Sequence, residues 1–427
     1  MAASPTSRVR PSLGQLCRDS LWLGAIGFGG GLTVLASIRR LAVEKRRWLT
    51  EREFANAAAV AQMLPGGAAA NALAYLGLRF AGVPGALAAY TSFILPGFAM
   101  VLALAWAYVA LGTTPHLETA FGGLNAAIVG IIAAITVRMV RTSVGRLWQM
   151  GVAAGALLLS LAGSAPPGEV AVLGAVVGLA ADLGTKRWRL AHLRRTEQGG
   201  GKVALPDEGG ALERRARPEA DAPTTEAPPR SKPPELHTAL WATALALGLA
   251  AGPGADLLKL GLLFFRTGLG AYGGGFAIVP HLQQILQGNG WLNERQFADA
   301  VAIGKLTPGP VLLMATFIGY LRHGLAGGVI ATVAVFAAPF ALVVLAGTWL
   351  DRMRSRRGVR AALRGLTPAV LGLMAAAALS LGERLDGQGE AAIAAAVALT
   401  LVRFELNPVV LLVAGGVARV GLQAAGL

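Results

Sequence analysis

The stretches 83–111 and 324–350 contain no charged residue, and each exceeds the roughly 20 residues that an α-helix needs to cross a bilayer. Their apolar character is continuous. A transmembrane β-strand would alternate apolar with polar over about ten residues, so the segments predict helices. Only 14% of the chain is charged against 54% hydrophobic, where a soluble domain carries about 25% charged residues. The fold class expected is an all-α polytopic membrane protein, and a soluble enzyme is excluded.

Between Lys186 and Glu235 the composition changes abruptly, to eleven Lys/Arg, eight Asp/Glu and seven prolines, the signature of a solvated linker that buries too little to fold. It divides the chain into an N-terminal membrane unit (13–185), a disordered cytoplasmic linker (186–236) and a C-terminal membrane unit (237–427). The two units repeat each other. Gly27-Phe28-Gly29-Gly30-Gly31 matches Ala271-Tyr272-Gly273-Gly274-Gly275 at an offset of 244. Trp48-Leu49, Pro65-Gly66 and Pro96 match Trp291-Leu292, Pro308-Gly309 and Pro339 at an offset of 243.

The net charge of +15 is concentrated in short loops beside apolar spans, so it sets topology and does not imply nucleic acid. The loop after the first Gly triplet holds Arg39, Arg40, Lys45, Arg46, Arg47 and Arg52, whereas its counterpart in the second unit holds only Arg295. After the long apolar segments the order reverses: Arg352, Arg354, Arg356, Arg357, Arg360 and Arg364 follow the second, and no cation follows the first. Equivalent loops therefore lie on opposite sides, and the repeat is inverted, with about 10–13 membrane segments. Both ends of 51–80 fall on the cytoplasmic side, which predicts helix 51–64, a break at Pro65-Gly66-Gly67 and a returning helix 68–80. The Gly-triplet segments either cross, or also re-enter with Thr238–Ala251 adding a crossing. The basic N-terminus, Met1–Arg18, lacks the apolar core of a removable signal peptide.

Breaks in membrane helices are tolerated where they are buried or line a polar cavity. Each Pro-Gly break precedes a new helix, so the amides of Ala68, Ala69 and Ala70, and of Val311, Leu312 and Leu313, are expected to point inward as an anion site. The candidate site comprises Gly29, Gly30, Gly31, Gln62, Pro65, Gly66, Gly67 and Asn71 from the first unit. From the second come Gly273, Gly274, Gly275, Lys305, Thr307, Pro308, Gly309, Pro310 and Thr316. Lys305 either serves the pathway, because an intramembrane cation is costly, or snorkels to the interface. Asp299 could carry a proton or pair with Lys305, but a solvated interfacial role is expected, and Trp48 and Trp291 are expected as interfacial anchors. A single cysteine, Cys17, and five scattered histidines imply neither disulfide nor metal site, and the chain holds no nucleotide motif, so no cofactor is expected and any drive must come from an ion gradient.

The strings Gly27-Phe28-Gly29-Gly30, Arg46-Arg47-Trp48-Leu49, Gln62-Met63-Leu64-Pro65-Gly66 and Ala302-Ile303-Gly304-Lys305-Leu306-Thr307-Pro308-Gly309-Pro310, with Ala315-Thr316-Phe317-Ile318-Gly319-Tyr320-Leu321, resemble the chromate ion transporter family in its long, two-domain form. The resemblance covers nearly all of the chain outside the linker. It implies a bacterial inner-membrane carrier exporting chromate, powered by membrane potential or a proton gradient, with sulfate as a competitor. The partners implied are a small inorganic oxyanion and the lipid bilayer, and a homodimer is open. The family usually has Gln where this chain has Lys305 and Gly-Gly-Pro where it has Gly29-Gly30-Gly31. Another small anion, a passive channel or a non-transporting scaffold are the alternatives.

Overall fold

The computed structural model describes residues 11–27, 31–111, 115–163, 165–198, 255–353, 357–404 and 406–425. Every regular element among them is helical. Gly29, Gly30, most of the linker and Thr238–Ala251 lie outside the described residues. Where the linker was expected from 186 onward, helix continues to Gln198.

Helix α1 (Leu13–Ile26) starts at a capping box between Ser12 and Gln15, which occupies amide donors that the first helical turn leaves open. It stops at Gly27. The chain resumes as α2 (Gly31–Arg39) and a π-helical turn, Arg40–Lys45. Asp19, midway along α1, pairs with Arg46 just past that turn, at 3.0 Å, so the chain comes back alongside α1 after the break. It re-enters. The equivalent pair is α8 (Ala255–Gly270) and α9 (Val279–Gly288), joined through a 3-10 turn, Gly273–Ile278. Asp256 at the start of α8 lies within electrostatic reach of Arg322 and His323, and Arg322 stacks 5.4 Å over Trp291, just beyond α9. That segment therefore re-enters as well, from the other side.

The second broken segments follow. Helix α3 (Glu51–Met63) starts at a capping box of Thr50 with Glu53, and α10 (Glu294–Leu306) at one of Asn293 with Gln296, so the repeat preserves the local device as well as the pattern. After each break comes a long helix, α4 (Ala68–Leu111) or α11 (Met314–Met353). Each contains a reversal, at Ala81-Gly82 and at His323-Gly324, with Gly82 and Gly324 at φ of 66° and 56°. This left-handed conformation suits glycine. Glu53 faces Arg79 at 3.8 Å across the first hairpin, which confirms helix, break and return over 51–80.

The limbs after the reversals cross the membrane side by side in opposite directions. Tyr90 packs on Phe336 and Phe340, and Leu102 lies 3.4 Å from the Cβ position of Gly328. Tyr75 faces Gly347. Residue numbers fall along α11 as they rise along α4, so the reversal of each lies at the far end of the other. The repeat is inverted.

The remaining helices are α5 (Pro115–Ser143), α6 (Leu147–Leu161), α7 (Pro167–Gln198), α12 (Arg357–Gly382), α13 (Gly387–Arg403) and α14 (Pro408–Ala424). They interlock. Helix α5 packs on α13 and α14 of the second unit, α12 packs on α6 and α7 of the first, and α5 meets α12 between them. Glycines allow the close approach: a Cβ at Gly123, Gly130, Gly365 or Gly372 would collide with a carbonyl oxygen of the opposite unit. Small residues of this kind let membrane helices touch backbone to backbone. Large side chains such as Trp22, Trp106, Val176, Trp349, Leu399 and Val417 point outward, as a lipid-facing surface requires.

Candidate functional site

The four breaks meet at the centre. The amide of Gly66 donates to the carbonyl of Ala271 at 2.8 Å, and the amide of Gly309 donates to the carbonyl of Gly27 at 3.1 Å. These bonds are one interaction repeated under the inverted symmetry, because Gly27 and Ala271 are equivalent, as are Gly66 and Gly309. Each Pro-Gly break is thus fastened to the Gly-triplet break of the opposite unit. Gly66 and Gly309 take φ of 101° and 108°, a conformation that side-chain-bearing residues rarely adopt. Gly67 abuts Pro310, with 3.0 Å between its Cβ position and the Pro310 Cβ. Helix prolines close the arrangement: Pro339 packs on Gly66, and Gly97, beside Pro96, lies against the Pro308 carbonyl.

Gly31 and Gly275 border the first turns of the new helices. The Cβ position of Gly31 lies 3.7 Å from the Ala68 Cβ, and that of Gly275, at φ 94°, lies 3.4 Å from Leu312; Gly273 and Gly274 share the 3-10 turn with Gly275. One expected amide is already used. Leu313 donates to the Pro310 carbonyl at 3.0 Å, because the turn over Val311–Leu313 is 3-10 and its tighter winding recruits that donor. Pro310 stands just before that turn as its cap.

The side-chain donors expected beside the breaks make hydrogen bonds within the scaffold. The Asn71 amide, wholly buried, donates to the carbonyls of Ala61 (3.2 Å), Leu64 (3.4 Å) and Pro65 (2.9 Å) and so braces the break. Thr307 donates to Ile303 at 2.9 Å. Thr332 donates to Gly328 and meets the Thr316 hydroxyl at 2.7 Å, tying the two limbs of α11. Gln62, equivalent to Lys305, is exposed and donates to Ala58 at 3.2 Å. A one-dimensional pattern places these donors at the breaks but does not show that nearby carbonyls, freed by the same breaks, consume them.

Lys305 is buried at 5% exposure in the last turn of α10. It does not snorkel. Its place in the last turn of α10 sets it at the helix end whose dipole favours a cation by about 0.3–1 kcal/mol. Asp299, 1% exposed, is likewise no solvated interfacial residue; its Oδ2 accepts from the Tyr108 hydroxyl of α4 at 2.9 Å. Trp48 is buried against Phe80, at 6.0 Å between ring centroids, more wedge than lipid anchor.

Asp299 also borders a cavity of about 370 Å³ that the sequence reading did not anticipate. The cavity lies at the end of the molecule away from the two cation-rich loops. Arg384 pairs there with Glu294 and, in the amide orientation that gives Gln283 partners at both ends, with the Gln283 oxygen at 3.0 Å. Arg419 pairs with Glu390 at 3.5 Å. The available signal was Glu390 and Arg419 inside otherwise apolar helices; their meeting depends on α13 and α14 packing about α5.

An inverted repeat whose broken helices meet in the interior is an architecture of membrane transport proteins. More particularly, the chain belongs to the chromate transporter family, whose model, described as "Chromate transporter", matches residues 14–180 and 258–420. Similar proteins include the chromate transport protein of Cupriavidus metallidurans, 32% identical over 421 residues (97% of this chain, 93% of that protein). The probable chromate transport protein of Synechococcus elongatus is 31% identical over 379 residues (87% and 85%). The chromate transport protein of Pseudomonas aeruginosa is 30% identical over 425 residues (95% and 91%). No solved structure matches.

Proposed function

We propose that this protein exports chromate, or a closely similar tetrahedral oxyanion such as sulfate, across the bacterial inner membrane. The observation that carries the reading is the reciprocal pair of hydrogen bonds that draws all four breaks to one centre, with a buried Lys305 at the end of one of them. Backbone amides at Ala68–Ala70 and at Val311 and Leu312 border that centre together with Gly31 and Gly275, and they suit a compact anion better than a bulky organic one. With most side-chain donors engaged in bracing, charge and backbone supply the recognition.

Export needs little beyond the resting potential. Moving one charge is worth about 2.3 kcal/mol per 100 mV, so a dianion leaving an inside-negative cell gains about 4.6 kcal/mol, somewhat over three decades in concentration ratio. In proteoliposomes loaded with chromate, an inside-negative potassium diffusion potential should accelerate efflux at least tenfold over its absence, with excess sulfate slowing it. Efflux that ignores the potential would remove the coupled-carrier reading in favour of an electroneutral process, and no protein-dependent efflux would remove transport itself.

A further inference from the structure

We propose that Asp299 is the proton-carrying residue of this transporter and that the 370 Å³ cavity is its port to the external solution. The inference rests on the transport reading above and adds a coupling ion and its site.

The geometry has three parts. Asp299 is nearly fully buried yet belongs to the cavity wall, so only a small local opening separates its carboxylate from the cavity. It stands six residues before Lys305 on the same helix, roughly 9 Å along the axis at 1.5 Å per residue, so a change in its charge is felt at the proposed anion centre. Its partner Tyr108 belongs to the opposite unit. A phenol hydroxyl donates to a carboxylate and can turn to accept from a carboxyl, so this inter-unit contact survives protonation in altered form. The carboxylate takes a proton from cavity water and, after the exchange of access, returns it to water on the cytoplasmic side.

The charged groups around Asp299 favour a proton over an anion as the cavity's visitor. On α10 itself these are Glu294, Arg295 and, deeper, Lys305. The loop after α12 brings Arg384 and Asp386, α13 brings Glu390, and α14 brings Arg419; α5 contributes Thr119 and Asn125, and α9 Gln283, none of which carries charge. Arg384 and Arg419 are engaged by Glu294 and Glu390. In the cavity wall four carboxylates face three guanidiniums, the wrong balance for collecting a dianion. Chromate leaving by the central site while a proton enters through Asp299 is an antiport in which both movements run downhill in an energised cell.

The test uses the full-length protein in proteoliposomes with an entrapped pH-sensitive dye. Chromate counterflow is measured in one arm and proton movement during net efflux in the other. Wild type should move protons against chromate. Asp299→Asn should keep counterflow within about threefold while proton movement falls to the leak, and Asp299→Glu should restore it. Wild-type counterflow without proton movement, or proton movement in Asp299→Asn equal to wild type, overturns the proposal. Absent wild-type counterflow overturns the transport reading itself, in a separate arm. Should Asp299→Asn fail to fold, Tyr108→Phe decides: loss of a donor to the carboxylate should displace the pH profile of transport to higher pH, and an unmoved profile overturns the proposal.

Discussion

Lys305 occupies the position where its repeat partner is Gln62, and the two differ in surroundings as well as in charge. Gln62 is exposed, whereas Lys305 is enclosed beside Thr307 and the Pro308-Gly309 break. Inverted symmetry holds for the backbone and fails at this pair of side chains. An ammonium about 4 Å from a dianion would gain roughly 4 kcal/mol per unit charge at an effective dielectric of 20, most of it offset by the desolvation of both ions. Lys305→Gln should therefore fold and transport, with divalent oxyanions bound several-fold more weakly and monovalent ones little changed, as read from inhibition of chromate flux. Lys305→Glu should be inactive at normal membrane abundance. Equal flux by wild type and Lys305→Glu would place Lys305 outside the pathway. The sequence exposed this residue because a lone cation in an apolar stretch is conspicuous; it did not show which groups Asn71, Thr307 and Thr316 reach, because that is settled only by the fold.

The broken helices were legible down to individual residues. The Pro65-Gly66 pair ends α3 at Met63, one residue short of the expected limit, and Pro308-Gly309 likewise ends α10 at Leu306, since proline and a left-handed glycine leave a helix few ways to continue. Whether the Gly-triplet segments cross or return was not legible, because loop charge alone fits both topologies; contacts such as Asp19 with Arg46 decide it. Two glycines at equivalent turns should respond differently to substitution. A Cβ on Gly309 meets the mobile tip of Leu313 at 3.1 Å, while one on Gly66 drives into the Pro339 ring at 2.7 Å. Both carry the backbone strain of a left-handed residue, about 1–3 kcal/mol, but Gly66→Ala adds overpacking of about another 1–3 kcal/mol. In detergent, Gly66→Ala should melt several degrees below Gly309→Ala, and both should reduce flux strongly. Equal melting temperatures would mean that the Pro339 contact relaxes without cost.

Across the whole molecule the inversion can be tested by chemistry at four exposed positions. With Cys17 replaced by serine, single cysteines at Lys45 and Arg360 should react with an impermeant maleimide only from the cytoplasmic side, and those at Ala162 and Asn289 only from outside. Lys45 and Asn289 labelled from the same side would end the inverted arrangement. Loop charges made this topology legible. The crosswise packing of α5 and α12 was not, because a repeat in sequence says nothing about which copy of a helix docks on which. That crossing has a consequence in time. A ribosome releases α5 long before α13 and α14, so the first unit enters the membrane with a glycine-lined face whose partners do not yet exist, and α6 and α7 must wait equally for α12. Folding can finish only after the last helix is synthesised, and the linker between the units sets how far apart the waiting surfaces are held until then.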